Sequence, residues 1–272
     1  MTNHDAVSEG IDPSTPSVAR MYDYYLGGKD NFASDREAAE QFIQVLPGIR
    51  QMVRENRAFL SRSVEFVARQ GVDQFLDIGS GLPTRENVHE VAHRVTPEAR
   101  VVYVDIDPIV LSHGRALLED NPHTSVVQAD MREPELLLTH PEIDGVVDFT
   151  RPVAVLLTAM LHFVPDEAVV TRILTAIRER LVPGSHVIVS HAFEGDVSAE
   201  VHEAGQRPYR LTNAGGLTSR GPERLAELME GLEILEPGVV PVHAWRPASP
   251  EDGEDVVIDL TAPGILGLVG RR

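Results

Sequence analysis

Residues 75–83 read Phe75-Leu76-Asp77-Ile78-Gly79-Ser80-Gly81-Leu82-Pro83. Phe75, Leu76 and Ile78 give the apolar run of a strand covered on both faces, and Gly79 and Gly81 break it. Glycine has no Cβ, so it permits a sharp turn and lets the backbone come close to a ligand. Asp77 stands two residues before the first glycine. Where a helix follows such a turn, its unpaired first amides face whatever lies above it. A bend with no ligand fits the same stretch, and a lone Gly-x-Gly does not choose between the two.

Working outward, apolar periodicity predicts a helix over 49–70, with Met52, Val53, Phe59, Leu60, Val64 and Val67 on one face. Downstream, the pattern predicts a helix over 84–95 and a strand over 100–104 that ends in Asp105-Ile106-Asp107-Pro108. Asp107 is a suitable N-cap for a helix whose first residue is Pro108. A strand over 125–128 leads into Ala129-Asp130-Met131, and one over 152–158 into Ala159-Met160-Leu161-His162-Phe163. A helix over 166–181 and a strand over 186–190 follow. This alternation is the mark of βαβ units and a mainly parallel, doubly wound sheet. In the last third, 205–218 reads as a loop and 222–230 as a helix. Residues 232–235 and 239–242 read as one strand bent at Pro237-Gly238, and the runs 256–260 and 264–269 as two late strands that suit an antiparallel edge.

Composition narrows the partners. Forty-two acids against 24 bases give a formal net charge of −18, which argues against binding nucleic acid or anionic lipid through bulk charge and favours a small-molecule substrate. The chain has no cysteine, hence no disulfide framework or thiolate chemistry. Its histidines lack metal-ligand spacing, so no metal is expected. Neither a bilayer-length apolar run nor a signal pattern is present, and a soluble cytoplasmic protein is the default expectation. Nothing in the sequence points to an oligomeric state.

The amino terminus has two parts. Residues 1–16 are polar, carry Pro13 and Pro16, and are expected to form a mobile arm. The rest, 17–272, reads as a single domain, with 17–70 as a helical cover. Tyr22, Tyr24 and Tyr25 crowd into a short stretch that ends in Gly27-Gly28-Lys29-Asp30-Asn31-Phe32, and Lys29 is the only lysine in the chain. Tyr24 reads as helix packing. Tyr22, Lys29 and Asn31, polar groups beside a Gly-Gly turn, read as parts of a lid over a ligand.

Ligands of doubly wound sheets sit at the carboxyl ends of the strands. Those ends carry Asp77, Gly79, Ser80 and Gly81 on the first strand, Asp105 on the second and Asp130 on the third. A carboxylate after the second strand suits ribose hydroxyls; Asp130 and the Met131 amide suit an adenine edge, with Ile106 as an apolar wall. Three acids on solvent-facing loops is the competing reading. A dinucleotide fingerprint needs a third glycine, but Thr84 stands there, and an acid before the glycines suits a cationic ligand such as S-adenosylmethionine better than a pyrophosphate.

The 76–84 stretch together with Val102-Tyr103-Val104-Asp105-Ile106-Asp107-Pro108 resembles class I S-adenosylmethionine-dependent methyltransferases. The run from Ala19 to Phe32, with Asn56-Arg57-Ala58-Phe59-Leu60, Gly231-Leu232-Glu233 and Pro237-Gly238, resembles a bacterial S-adenosyl methyltransferase family first catalogued as a domain of unknown function. The resemblance implies a seven-stranded sheet with helices on both faces, an antiparallel last strand and amino-terminal helices over the cofactor. By position it implies Asp77, Gly79 and Gly81 at the methionine part, Asp105 at the ribose, Asp130 and Met131 at the adenine, and Ala159 and His162 beside the methyl. An Asn-Pro-Pro-Tyr-like run after strand four is missing, which speaks against methylation of a nucleic-acid base amine.

If proton removal is needed, His162 is the best-placed base by sequence, with His191 and Glu194 on the same edge; a packed histidine is the rival reading. Tyr209, near Arg207 and Arg210, is a candidate acceptor contact or an ordinary surface tyrosine. Two other functions fit the cofactor residues: a regulatory protein that binds S-adenosylmethionine or S-adenosylhomocysteine without turnover, and an NAD-dependent oxidoreductase.

Overall fold

The computed structural model describes residues 12–84, 86–118, 121–247 and 258–272. Three helices come first: α1 (Val18–Leu26), α2 (Ala33–Val45) and α3 (Ile49–Arg69). The alternating part follows as β1 (Gln74–Ile78), α4 (Val88–Val95), β2 (Arg100–Asp105), α5 (Pro108–Leu118), β3 (Thr124–Gln128), the single turns α6 (Pro134–Leu137) and α7 (Pro141–Asp144), β4 (Ala154–Thr158), α8 (Glu167–Arg180) and β5 (His186–Phe193). Then come α9 (Ala199–Arg210), α10 (Pro222–Leu228), β6 (Glu233–Ile234), β7 (Val240–Pro241) and β8 (Gly264–Arg271).

The sheet runs β3-β2-β1-β4-β5-β8-β6, with β7 also on β8. The pairs among β1 to β5 are parallel, and β8 is antiparallel to β5, β6 and β7. The seven-stranded expectation becomes eight because the edge strand is broken. Glu233 and Ile234 pair with Arg271 and Gly270, while Val240 and Pro241 pair with Gly267 and Leu266. Pro237, which has no N–H to give a ladder, and Gly238 lie in the gap.

Alternation along the strands sorts the core into two layers. Leu76, Ile78, Val102 and Val104 pack with Ile173 and Ile177 of α8 on one face. Phe75, Val101 and Tyr103 pack with Phe59, Leu60 and Val64 of α3 and with Val88 and Val91 of α4 on the other. A third cluster joins Met21, Tyr25, Ala38, Phe42, Ile49 and Val53 to Tyr209 of α9. The predicted 49–70 helix therefore has two jobs: its first turns belong to the amino-terminal helices, and its remainder is a sheet layer.

Three expectations need correction. The 205–218 stretch is not all loop, because α9 runs through Gly205 and Pro208 to Arg210. Its start is fixed by the Ser198 side chain, which accepts from the Val201 amide, and its inner face buries Gln206, Pro208 and Tyr209. The helix after the glycine turn begins at Val88 rather than Thr84, since Asn87 and Glu90 form a capping box there. Of the two late apolar runs, only the second is a strand. Ile258 is exposed and outside any strand, and Val256 and Val257 lie outside the described residues. Residues 1–11 of the predicted arm also lie outside them. Nearer the domain, the Pro13 and Thr15 carbonyls accept from Ser34 and Arg20.

Candidate functional site

The turn after β1 is folded back onto β2: the Gly79 and Ser80 amides donate to the Val104 carbonyl at 2.7 and 3.2 Å. Gly79 has φ 75°, and a Cβ there would come within 2.3 Å of the Met160 side chain. Gly81 has φ 66° and no atom within 4 Å of where its Cβ would stand, because it faces open space. Both positions require glycine, the first for room and conformation, the second for conformation.

That open space is a cavity of about 260 Å³. Gly79, Ser80, Gly81, Asp105, Ile106, Ala159 and His162 line one end of it, so the structure brings together the ends of β1, β2 and β4. The other end is bounded by Tyr25, Phe42, Met52, Phe163, Tyr209 and Leu217. Tyr209 is a buried wall residue, not a surface one: Phe42 meets its ring edge-on at 5.0 Å, and its hydroxyl lies 3.4 Å from that of Tyr25. In the sequence Tyr209 is a candidate acceptor contact, but its segment reads there as a loop because α9 carries Gly205 and Pro208, the residues that usually announce one.

Asp105 accepts from the Gly81 amide and the Asp107 amide, each at 2.9 Å, and burial raises its pKa. Two carboxylate oxygens have about four lone-pair sites, so the Asp105 carboxylate retains acceptor capacity for a ligand. Asp107 caps α5 as expected, accepting from the Ile109 amide at 2.9 Å, and its other oxygen takes the Ser17 hydroxyl at 2.8 Å. Asp77 lies behind the glycine turn, in a small recess shared with Arg57, Ser80 and Gly81. Burial pushes its pKa up to about 7, against the pull of the Arg57 guanidinium and with the help of Asp105, and its Oδ1 has no partner. Asn56, beside Arg57 on α3, also lines the cavity with a buried, unpartnered Oδ1, while its amide donates to the Tyr22 hydroxyl at 3.0 Å. Only the Asn56-Arg57 pair within the family-like stretch could have signalled it.

Lys29, Asn31, Asp130 and Met131 stand apart from the cavity wall. Lys29 is exposed. Asn31 donates to the Asp23 carboxylate at 2.8 Å and so closes the Gly27-Gly28 turn. Asp130 is held by Arg132 at 2.7 Å, which lowers its pKa, and Met131 packs against the core. Tyr22 lines the cavity, but its hydroxyl is engaged by Asn56 and by the Val53 carbonyl at 3.3 Å.

His162 sits on a 3-10 turn, Leu161–Phe163, after β4. The preceding Ala159 has φ 56°, costly for a residue with a Cβ, and its amide is held by both the backbone and the hydroxyl oxygen of Ser190. His162 is buried; desolvation first, then His191 and Arg220, hold its pKa well below the ordinary histidine value. The expected base is thus a neutral ring. His191 is fully used: one nitrogen meets the Ala192 carbonyl at 2.8 Å, the other the Arg220 guanidinium at 3.1 Å.

The strand order, with a cavity at the carboxyl ends of the parallel strands, makes this a Rossmann-like fold of the methyltransferase type. A family model described as S-adenosyl methyltransferase matches residues 4–269, and the chain belongs to that family. It is similar to a crystal structure from Thermobifida fusca YX, provisionally named a methyltransferase, at 43% identity with 97% of each chain covered and a TM-score of 0.87. It is also similar to a DUF574 family protein from Streptomyces avermitilis MA-4680, at 39% identity, 96% and 99% coverage and a TM-score of 0.87. A search of curated proteins gave no match. No helix among the described residues is long and apolar enough to cross a membrane.

Proposed function

We propose that this protein binds S-adenosylmethionine and transfers its methyl group to a small acceptor with an apolar body. One observation carries the reading: a single cavity joins the Gly79–Gly81 turn and Asp105 to an aromatic chamber bounded by α1, α2 and α9. The residues fit the cofactor. Asn56, on the cavity wall, sets a buried, unpartnered oxygen toward a cationic amino acid end, with a second such oxygen on Asp77 behind the turn; Asp105 retains lone-pair capacity for a ribose, and Gly81 leaves room above the turn. A pyrophosphate fits less well, because the first amides of α4 start beyond the turn and are occupied: the Asn87 and Glu90 capping box takes part of them, and the His89 amide donates to Tyr103 at 2.9 Å.

When bound, S-adenosylmethionine supplies a methyl carbon on a positive sulfur, open to in-line displacement. The protein's work is to position the acceptor and keep water out. The chamber does both: Tyr25, Phe42, Phe163 and Tyr209 give it apolar walls, and the amino-terminal helices cover it. A chamber of this kind suits a small organic molecule better than a polymer, and the net charge of −18 points the same way.

The test has two parts. Calorimetry with S-adenosylhomocysteine should show one site per chain. Incubating the protein with isotope-labelled S-adenosylmethionine and a cell extract should place label in the small-molecule fraction. Absence of binding overturns the reading; label only in protein or nucleic acid overturns the acceptor class, and binding without labelled product favours a regulatory protein.

A further inference from the structure

We propose that Glu194 and His202 form the proton-accepting pair of this site and that the acceptor is a hydroxyl compound of the phenol type; the proposal rests on the methyl-transfer reading above. Glu194 follows directly on β5, whose last residue, Phe193, is paired with Gly264, and its amide donates to the Ser219 hydroxyl at 3.0 Å. His202 stands at the start of α9, its amide bonded to the Ser198 carbonyl at 2.9 Å. Two fixed backbones therefore bring these side chains together on the wall of the cavity.

Nδ1 of His202 lies 3.0 and 2.9 Å from the two carboxylate oxygens of Glu194. A carboxylate only accepts, so Nδ1 carries a proton, and the tautomer this selects has its lone pair on Nε2. The described residues place no hydrogen-bond partner on that nitrogen. The other two histidines of the site cannot offer the same. Ala192 donates its amide to Nδ1 of His162, which puts the proton of the neutral ring on Nε2 and makes His162 a donor. His191 spends both nitrogens on the Ala192 carbonyl and Arg220. Of the other charged groups near His202, Glu203 is held by Arg210 at 2.7 Å, leaving Glu194 as the carboxylate in direct contact with the ring.

The chemistry selects the acceptor class. An amine attacks with a lone pair it already has, whereas a hydroxyl becomes a strong nucleophile only as its proton leaves. In the step, the O–H proton moves to Nε2 of His202, and the freed oxygen pair forms the bond to the methyl carbon. The electrons of the broken carbon–sulfur bond stay on sulfur, and Glu194 stabilises the imidazolium until it returns the proton to water. The aromatic walls suit the ring of a phenol.

The test uses 4-nitrophenol, which is strongly coloured only as the phenolate. It is titrated into the full chain saturated with S-adenosylhomocysteine, at a pH where the free phenol keeps its proton. The wild type should bind it and develop the phenolate band. His202→Gln and Glu194→Gln should bind it and lose the band; both side chains are partly exposed, and thermal melts check that the variants fold. A wild type that binds nothing, or binds without colour, overturns the proposal, as does an undiminished band in His202→Gln. Calorimetry with S-adenosylhomocysteine alone is read separately, so failure of the donor site is distinguishable from failure of the pair.

Discussion

The Ala192 amide donates to Nδ1 of His162 at 3.1 Å. The bond exists because β5 outruns its neighbour: the β4 pairing stops at Thr158 opposite Ser190, and the Ala192 amide, two residues further on, needs another acceptor. His162→Leu should leave that amide buried and unpaired, at a cost of about 1–3 kcal/mol. His162→Asn, whose side-chain oxygen can take the Nδ1 position, should recover most of the loss. Thermal melts of the two variants check this; equal melting temperatures would remove the bond from the account.

Buried histidines also set the acid limit. Burial lowers His186 and His191 to about 4, and His162 lies well below its ordinary value. The unfolded chain takes up these protons near 6.5 while the folded chain refuses them. Their contribution to stability should therefore be full above 6.5, fall as pH drops below it, and level off only once the folded rings titrate, for His186 and His191 near 4. Urea midpoints across that window should show the fall, and His186→Gln should make it shallower.

Asp77 works in the opposite sense. Its folded pKa of about 7 stands above the ordinary carboxylate value of 3.8, so the folded chain holds a proton that the unfolded chain gives up. Its contribution to stability without ligand should decline as pH rises from 3.8 to about 7 and then stay flat, partly offsetting the histidines. Asp77→Asn should gain relative to wild type between about pH 4 and about pH 8, by up to the order of 4 kcal/mol. An ammonium group brought beside Asp77 reverses the preference. In the proposed binding mode the ammonium of S-adenosylhomocysteine does this, so its binding should release protons near neutral pH, read by calorimetry in buffers of different ionisation enthalpy. Asp77→Asn should abolish that release.

Much of this site was legible because the sequence carries its cause. An apolar run that ends in Gly79 and Gly81, and acids that fall just after later apolar runs, place Asp77 and Asp105 at strand ends from the runs and their breaks alone. The α9 wall was not legible, since Gly205 and Pro208 have poor helix propensity and the segment is held by the Ser198 cap, by packing against Phe42 and the Tyr25 hydroxyl, and by the Gln206 side chain on the Leu217 backbone. Nor could residue type reveal that Asn31 and Asp130 have local partners, Asp23 and Arg132, which occupy the groups a ligand would need. The orientation of His162 depends on the amide of Ala192, thirty residues away in sequence, and no local pattern encodes it.

Asp105 supports the fold as well as the proposed ribose contact, since it holds the Gly81 and Asp107 amides. Asp105→Ala should therefore lower stability and binding together. Asp105→Asn keeps one acceptor oxygen but turns an NH2 toward the other backbone amide, so it should lose less stability than Asp105→Ala, about 1–3 kcal/mol for the one unpaired amide, while affinity for S-adenosylhomocysteine falls by roughly tenfold or more as a charge-assisted hydrogen bond is lost. Unchanged affinity by calorimetry would withdraw the ribose assignment.

The amino-terminal helices are fastened by a buried ion pair. Arg20 Nε donates to Asp35 at 2.7 Å, both side chains almost wholly buried, and Arg20 also reaches the Thr15 carbonyl and lies 3.9 Å from Asp107. Asp35 in turn accepts from the Ser17 and Phe32 amides, so one pair ties the start of α1 to the start of α2 and, through Asp107, to the end of β2. Arg20→Met should leave a buried carboxylate without its cation, at a cost of about 3–5 kcal/mol. Because these helices cover the cavity, the same variant should release S-adenosylhomocysteine faster than wild type. Glu40→Gln, which removes only the surface pair with Arg50, should do neither. Thermal melts and stopped-flow displacement measure the two effects; a destabilised Arg20→Met with an unchanged release rate would show that the pair holds the fold without gating the site.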